Sequence, residues 1–303
     1  MKKNKIILLS FLTIFLIVGC TSNEQGKNTK TKHLPNNKNL NLTILIDLSD
    51  RISIKKNPNQ VDDDLKFISG VLKIFKKYMA EKGVVHSEDK IKVVYYPELK
   101  NDLMNSIFDS LTVDFSSLSF IERKKVFSNL EDRFTTNLKN IYQIASNKSE
   151  YYGSDLFNYF QHRVVDDCII NDSNYINILL ILTDGYIYHQ NSTYQKSNRF
   201  SYLVPKAKHI QIFRNRADWE KFFDAKDYGL MDTGLDLSNL VIIAAQFNPV
   251  YYSPKDFDIM KKYWSKWFEE QKVKPENYKI LRNDNPGLNI RVLESFLTNI
   301  TRR

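Results

Sequence analysis

The alternation of short apolar runs with amphipathic segments constrains the fold of this chain more than any other feature. Residues 42–46, 175–182 and 240–245 are nearly continuous apolar runs. Such runs are typical of strands that are buried on both faces of a parallel sheet. Between them, residues 62–82 and 120–145 carry apolar side chains at helical spacing. The pattern predicts an α/β domain with a mostly parallel sheet flanked by helices.

Further elements complete this alternation. Two more strands are predicted at residues 91–96 and 278–281, and further helices at residues 154–169, after Ser253-Pro254, and at residues 288–300.

Two connections, residues 97–153 and 186–239, are far longer than the usual connection of about 2–6 residues. We expect them to be two long insertions that hold extra helices or form functional lids. The many aromatic residues of the second insertion are more typical of a packed insertion than of a binding groove.

The first residues have the layout of a secretory signal. Lys2, Lys3 and Lys5 precede an uncharged run at residues 6–18, which is shorter than a transmembrane helix of about 20 residues. Residues 17–20 resemble the bacterial lipobox, which implies cleavage after residue 19 and acylation of the Cys20 thiol, for example with palmitate. The alternative is an uncleaved anchor helix with an incidental cysteine. We therefore expect an exported lipoprotein, anchored by its lipid in the cell membrane or the outer membrane.

Residues 20–41 have almost no apolar side chains after Cys20, so they are predicted to be a flexible tether that precedes one domain at residues 42–303. The net charge of +9 includes three signal lysines, and residues 21–41 add four lysines against one glutamate, so only about +3 remains on the domain. Without a basic stripe that interleaves aromatics, this argues against nucleic acid as a partner. If Cys20 is acylated, Cys168 has no disulfide partner and is predicted to be a buried small hydrophobe.

Three polar segments are predicted to meet at one edge of the sheet. They are Asp47-Leu48-Ser49 after the first strand, Gly153-Ser154-Asp155 before a helix, and Thr183-Asp184-Gly185 after the strand at 175–182. Ligands of open parallel sheets bind beyond the carboxyl ends of the strands. Carboxylates and hydroxyls together are hard oxygen donors suited to Mg²⁺. Each segment alone is a short turn-like string, and Ser154 also fits a helix N-cap.

In their order along the chain, these segments resemble the metal-ion-dependent adhesion site of the von Willebrand factor type A (VWA) fold. Asp47 and Ser49 match the start of its Asp-x-Ser-x-Ser motif, Ser154 stands where the family has a threonine, and Asp184 matches the later aspartate. The resemblance covers residues 42 to about 303. It implies a Rossmann-like α/β domain, with an open, mostly parallel sheet, that binds proteins through a metal. Here the metal would be Mg²⁺, held by these side chains and completed by a carboxylate of the partner.

Arg51 departs from the family pattern, because it replaces the second serine of the motif and a guanidinium cannot ligate a cation. We expect either that Arg51 captures an anion of the partner beside the metal, or that it pairs with Asp50 or Asp155. Asp50 and Asp155 are also candidates for a replacement oxygen or for supporting the metal ligands.

No catalytic motif is recognisable, and the histidines show no ligand spacing, so we do not expect an enzyme. The favoured function is a membrane-anchored lipoprotein whose VWA-like module docks protein partners at the cell envelope through a degenerate Mg²⁺ site. Two alternatives stay open: a metal-independent structural or scaffold lipoprotein of an envelope assembly, and a hydrolase that uses residues of the insertions.

Overall fold

A six-stranded sheet forms the centre of the domain in the computed structural model, which describes residues 38–97, 101–146 and 153–302. The strands are β1 (Asn39–Ile46), β2 (Lys90–Val94), β3 (Thr112–Asp114), β4 (Tyr175–Leu182), β5 (Gln195–Lys196), β6 (Arg199–Phe200), β7 (Gly229–Leu230), β8 (Leu240–Phe247) and β9 (Tyr278–Arg282). The large sheet has the order β3-β2-β1-β4-β8-β9, and all its neighbouring strands are parallel except β2 and β3. The predicted α/β class with a mostly parallel sheet is confirmed.

Helices cover both faces of this sheet. They are α1 (Gln60–Lys82), α2 (Asp102–Ser110), α3 (Phe120–Ser146), α4 (Leu156–His162), α5 (Val164–Cys168), α6 (Lys208–Arg214), α7 (Trp219–Ala225), α8 (Asp256–Glu270) and α9 (Pro286–Thr301). Ile44 and Ile46 of β1 pack in a core with α1, α3 and α9, whereas Leu45 packs in a second core with α4 and α8. Because successive strand residues face opposite sides, burial on both sides gives the continuous apolar runs of the sequence.

The first strand begins earlier than predicted. Asn39 and Asn41 look like part of a polar tether, but both are buried in β1. The Asn41 amide donates to Asn177 Oδ1 on β4 and to the Cys168 carbonyl, each at 2.9 Å. Strand β1 therefore starts at residue 39 rather than 42. The predicted signal segment, Cys20 and the tether up to residue 37 lie outside the described residues.

Two helix predictions need correction. The helix predicted at 154–169 is divided into α4 and α5 at Arg163. Ser253-Pro254 does not begin α8, which starts at Asp256; the Asp256 carboxylate instead accepts the Tyr252 and Ser253 N–H groups of the preceding turn at 2.8 Å. Within the described ranges, no helix has both the length and the apolar character that crossing a bilayer requires.

Both long connections contain regular structure. The described parts of 97–153 include α2, β3 and α3, and residues 186–239 hold the three-stranded sheet β5-β6-β7 with α6 and α7. Phe213 and Phe223 pack against Tyr263 of α8, so the predicted packing of the aromatic insertion is confirmed. Cys168 is also a buried small side chain as predicted: burial raises the pKa of its thiol to about 12.

Candidate functional site

Asp47 and Asp184 are brought together by two adjacent parallel strands. The last residues of β1 and β4, Ile46 and Leu182, are paired in register, so both strands end at the same edge of the sheet. The Thr183 hydroxyl then donates to Asp47 Oδ2 at 3.1 Å. The strand-end rule thus places the first and third predicted motifs side by side.

Two isolated β-bridges bring Ser154 next to the first and third motifs. Gly153 pairs with Leu48 of the first motif, and Ser154 pairs with Tyr188 beyond the third motif. All four predicted metal ligands line one crevice of about 860 Å³. Its lining is acidic and polar at the strand ends and aromatic or aliphatic at the rim: Asp47, Ser49, Asp50, Arg51, Lys56, Asn57, Gly153, Ser154, Asp184, Tyr186, Tyr188, Val204, Pro205, Asn248, Pro249, Val250 and Tyr251.

The two carboxylates of the crevice are poorly compensated. Desolvation raises the pKa of Asp47, although the nearby Arg51 charge opposes this shift. Desolvation in the crevice, followed by repulsion from Asp47, raises the pKa of Asp184 to about 7. Among the described residues, the two carboxylates accept hydrogen bonds from the Ser49 and Tyr186 N–H groups and from the Ser49 and Thr183 side chains, and neither forms an ion pair. Burying charge without a cation is costly, so the pair favours a positively charged ligand.

The hydroxyl of Ser154 supplies an independent indication of a ligand. Ser154 is only 4% exposed, and within the part of the chain that the structure describes its Oγ atom has no hydrogen-bond partner. A buried hydroxyl without a partner is rare and costs about 1–3 kcal/mol. Two carboxylates and the hydroxyls of Ser49 and Ser154 are hard oxygen donors, so the residues present fit a Mg²⁺-type cation.

Histidine and cysteine contribute nothing to this donor set. Within residues 38–97, 101–146 and 153–302, no three His, Cys, Asp or Glu side chains gather into a group that could hold a metal. A cation in the crevice therefore depends on the serine hydroxyls as well as on the two aspartates.

The prediction that Arg51 captures a partner's anion is wrong. Arg51 is 1% exposed, and its Nη1 and Nη2 atoms donate to Asp64 Oδ2 and Oδ1 of α1 at 2.8 and 2.9 Å. Nη1 also donates to the Asp47 carbonyl at 3.2 Å. The partner is neither Asp50 nor Asp155. Asp64 was missed, although it lies three and four residues before Phe67 and Ile68 on the buried face of α1, a position where an aspartate needs a cation.

Asp50 and Asp155 have other roles. Asp50 is exposed at the rim of the crevice and pairs with Lys56. Asp155 does not line the crevice; it is the N-cap of α4 and accepts the Asn158 N–H at 3.1 Å. Asp155 is therefore not placed to supply a replacement oxygen, whereas a supporting role of Asp50 at the rim stays a prediction. Because Asp155 is the cap, the alternative interpretation of Ser154 as an N-cap is also wrong, and the Ser154 hydroxyl stays available to a ligand.

The rim residues after β8 were not predicted. Asn248, Pro249, Val250 and Tyr251 line the crevice because β8 ends at the same edge as β1 and β4. The signal was present in the sequence, since the run at 240–245 is one of the three buried strands and its following loop had to reach this edge.

Comparisons with known proteins give distant structural similarities. No family model matches the sequence, and no curated protein sequence matches it. Proximal thread matrix protein 1 of the mussel byssus, in crystal form 2, is 8% identical with a TM-score of 0.40, over 87% of this chain and 49% of that chain. The structure of the same protein with a zinc-occupied MIDAS motif is 7% identical with a TM-score of 0.40. The pilus adhesin SpaC from Lactobacillus rhamnosus GG is 10% identical with a TM-score of 0.40, over 87% of this chain and 31% of that chain.

This chain spans about half the length of the mussel protein and about a third of the adhesin. At such TM-scores the similarity carries no argument about residues or function. The fold is assigned from the molecule itself: a mostly parallel sheet with an antiparallel edge strand, helices on both faces, and three motif segments meeting at one edge. In these features the domain resembles the VWA fold.

Proposed function

We propose that this chain is a membrane-anchored lipoprotein whose VWA-like domain docks protein partners through a divalent cation, Mg²⁺. The cation would be held by Asp47, Ser49, Ser154 and Asp184. The observation that carries the proposal is the meeting of two desolvated carboxylates with the unpartnered, buried Ser154 hydroxyl in one crevice. A bound cation would neutralise the carboxylates and offer a coordination position to a carboxylate of the partner.

The rim of the crevice supports a protein partner. Tyr188, Val250 and Tyr251 are exposed large side chains that surround the acidic floor. Tyrosine is enriched at protein interfaces, where a polar centre is often combined with aromatic contact area. The rim would supply apolar contact while the floor supplies the charged contact. We therefore propose a binding role rather than a catalytic one.

One observation favours the second candidate, a metal-independent scaffold lipoprotein. Arg51 replaces a metal-ligating serine, and its charge opposes the desolvation that raises the pKa of both Asp47 and Asp184. A permanent guanidinium near the carboxylates reduces their need for a metal. If this effect dominates, the domain would bind its partners without a cation.

Partner capture with and without a chelator separates the two candidates. Proteins of the cell envelope are captured on wild type, on Asp184→Asn and on the matched control Asp232→Asn. Asp232 is exposed, accepts the Gly234 N–H in a turn and does not line the crevice. We expect capture in Mg²⁺ that is lost with chelator and with Asp184→Asn but kept in the control. Capture that is equal with and without chelator would leave only the scaffold candidate, and turnover on a substrate panel would instead support a hydrolase.

The lipid anchor is tested separately. The charged start, the uncharged run and Gly19-Cys20 support acylation of Cys20. Cells that are fed a labelled fatty acid should incorporate label into wild type but not into Cys20→Ala, which should remain unprocessed or be released from the membrane. Label and membrane fractionation that are unchanged in Cys20→Ala would refute the anchor.

A further inference from the structure

The described chain begins at the edge of the sheet opposite to the crevice. Lys38 precedes β1, whose far end carries Asp47. The Lys82 ammonium, at the end of α1, donates to the Lys38 carbonyl at 3.1 Å, and the Glu88 N–H donates to Asn39 Oδ1 at 3.1 Å. Residues 83–89 therefore lie beside the start of the domain.

Helix α3 begins at this same edge. The antiparallel strand β3 returns to the start of β2, where the Phe115 N–H donates to the Asp89 carbonyl at 3.0 Å. In the first turn of α3, Arg123 Nη1 donates to the Val85 carbonyl at 2.7 Å. The beginning of α3 and the beginning of the domain are thus joined through residues 83–89.

Two large apolar side chains are exposed in this first turn. Ile121 is 82% exposed and Phe120 is 64% exposed, which makes Ile121 the most exposed large hydrophobic side chain of the described residues. Lys124 and Lys125 are exposed one turn later, and Arg123 lies over the Phe120 ring at 5.8 Å. The Glu122 carboxylate is used within the helix, because it caps the N-terminus of α3 by accepting the Ser119 N–H at 2.9 Å. We call residues 120–125 the basal patch.

We propose that the basal patch lies against an anionic lipid bilayer, the one that holds the acylated Cys20, with Phe120 and Ile121 inserted at the interface. The proposal rests on the lipid anchor of the proposed function. Only 17 residues lie between Cys20 and Lys38, so the starting edge of the domain is held within about 65 Å of the lipid. Exposed apolar residues beside lysines and an arginine match the interface of a bilayer with acidic headgroups.

This orientation has a consequence for the crevice. Because the basal patch and the crevice lie at opposite edges of the sheet, contact of the patch with lipid turns Asp47 and Asp184 away from the bilayer. The crevice would then face partners rather than the surface to which the chain is anchored.

Depth-dependent quenching tests the proposal on the full acylated chain in vesicles that contain phosphatidylglycerol. A fluorophore is attached to Ile121→Cys; Cys168 is fully buried and Cys20 carries the lipid. The matched control is Leu288→Cys, which places the fluorophore on an exposed aliphatic position in the first turn of α9 at the crevice edge. Lipids with spin-labelled acyl chains should quench the probe at position 121 at least about twofold and leave the probe at 288 unchanged.

A second variant tests the role of the side chains. Phe120→Asp in the Ile121→Cys background should lower the quenching to the level of the 288 control without changing the flotation of the protein with vesicles. If the protein floats and the probe at 121 is quenched no more than the probe at 288, the patch does not touch lipid and the inference is overturned, while the anchor stands. If the chain does not float with vesicles, both the anchor and the inference fail.

Discussion

Two acidic groups lie next to each other at the strand ends, and only one of them is neutralised by the protein. In the first, which we call the arginine network, Asp64 accepts hydrogen bonds from Arg51, Gln60 and Tyr142 at 2.7–2.9 Å. In the second, the carboxylate crevice of Asp47, Ser49, Ser154 and Asp184, the two carboxylates have backbone N–H groups and two side-chain hydroxyls as partners. Arg51 contacts both groups through its Nη1 atom.

The difference separates a structural group from the proposed ligand site. A buried carboxylate whose oxygens are saturated by an arginine, an amide and a hydroxyl has no capacity for a further ligand. Two carboxylates with raised pKa values, next to an unpartnered buried hydroxyl, do have that capacity. Mutations in the network should therefore change stability, and mutations in the crevice should change cation binding.

The largest effect is expected from breaking the arginine network. Arg51→Ala leaves Asp64 buried without its cation, so the free energy of unfolding should fall by about 3–5 kcal/mol. The control Arg51→Met/Asp64→Leu removes both charges and should be far closer to wild type. Urea unfolding followed by circular dichroism measures both. A loss below about 1 kcal/mol in Arg51→Ala would mean that the arginine network contributes little to the stability of the domain.

A somewhat smaller effect should come from pH in the metal-free protein. Burial and Asp47 raise the pKa of Asp184 from 3.8 to about 7, so between these values the folded state binds more protons than the unfolded state. This contribution to stability is fully present below about pH 4 and is lost as the pH rises through about 7, with a loss of about 2–4 kcal/mol.

Asp184→Asn should remove that decline, and saturating Mg²⁺ should reduce it because the cation binds the ionised carboxylate. Urea unfolding of wild type and Asp184→Asn from pH 4 to 8 measures the difference. Parallel pH profiles for the two proteins would show that Asp184 is already neutralised in the fold.

A single hydrogen bond of the network should contribute less. Tyr142 donates to Asp64 Oδ2 at 2.7 Å inside the core, so Tyr142→Phe should lower the free energy of unfolding by about 1–2 kcal/mol. The matched control is Tyr194→Phe, because the Tyr194 hydroxyl donates to the Asn191 carbonyl at 3.1 Å on the surface. The control should change stability by less than about 0.5 kcal/mol. Equal losses in the two variants would contradict the special cost of an unsatisfied buried carboxylate.

No loss of stability is expected at Ser154. Its buried hydroxyl has no hydrogen-bond partner among the described residues, so Ser154→Ala should raise the free energy of unfolding of the metal-free domain by about 1 kcal/mol while weakening Mg²⁺ binding several-fold. Ser192 is an equally buried control whose hydroxyl donates to Asp155, so Ser192→Ala should destabilise the domain and leave Mg²⁺ affinity nearly unchanged. Unaltered Mg²⁺ affinity in Ser154→Ala would remove Ser154 from the ligand set.

The sequence was sufficient for the sheet and for the convergence of the motifs. Strands buried on both faces leave continuous apolar runs, and parallel strands bring their carboxyl ends to one edge, so the placement of Asp47 and Asp184 follows from local patterns. The start of β1 could not be predicted in this way. Asn39 and Asn41 are polar, and Asn41 is buried only because its amide meets Asn177, 136 residues later.

Arg51 shows where sequence reasoning about the site stops. Residues 62–64 are three consecutive aspartates, and nothing local says which of them turns inward. Only the packing of α1 against the sheet selects Asp64, and only then does Arg51 have a buried partner rather than an exposed anion to capture. The break between α4 and α5 at Arg163 likewise could not be predicted, because no proline or glycine lies at this position.

The central claim is that the carboxylate crevice is a cation site, and isothermal titration with Mg²⁺ at pH 8 tests it most directly. Wild type and the exposed control Asp232→Asn should bind one Mg²⁺ with a dissociation constant on the order of 10⁻⁴–10⁻³ M, the range of weak extracellular cation modules. Asp47→Asn and Asp184→Asn should each bind at least about tenfold more weakly while remaining folded, since each removes one of the two ionised ligands. No heat in wild type, or equal affinities in all four proteins, would contradict the account.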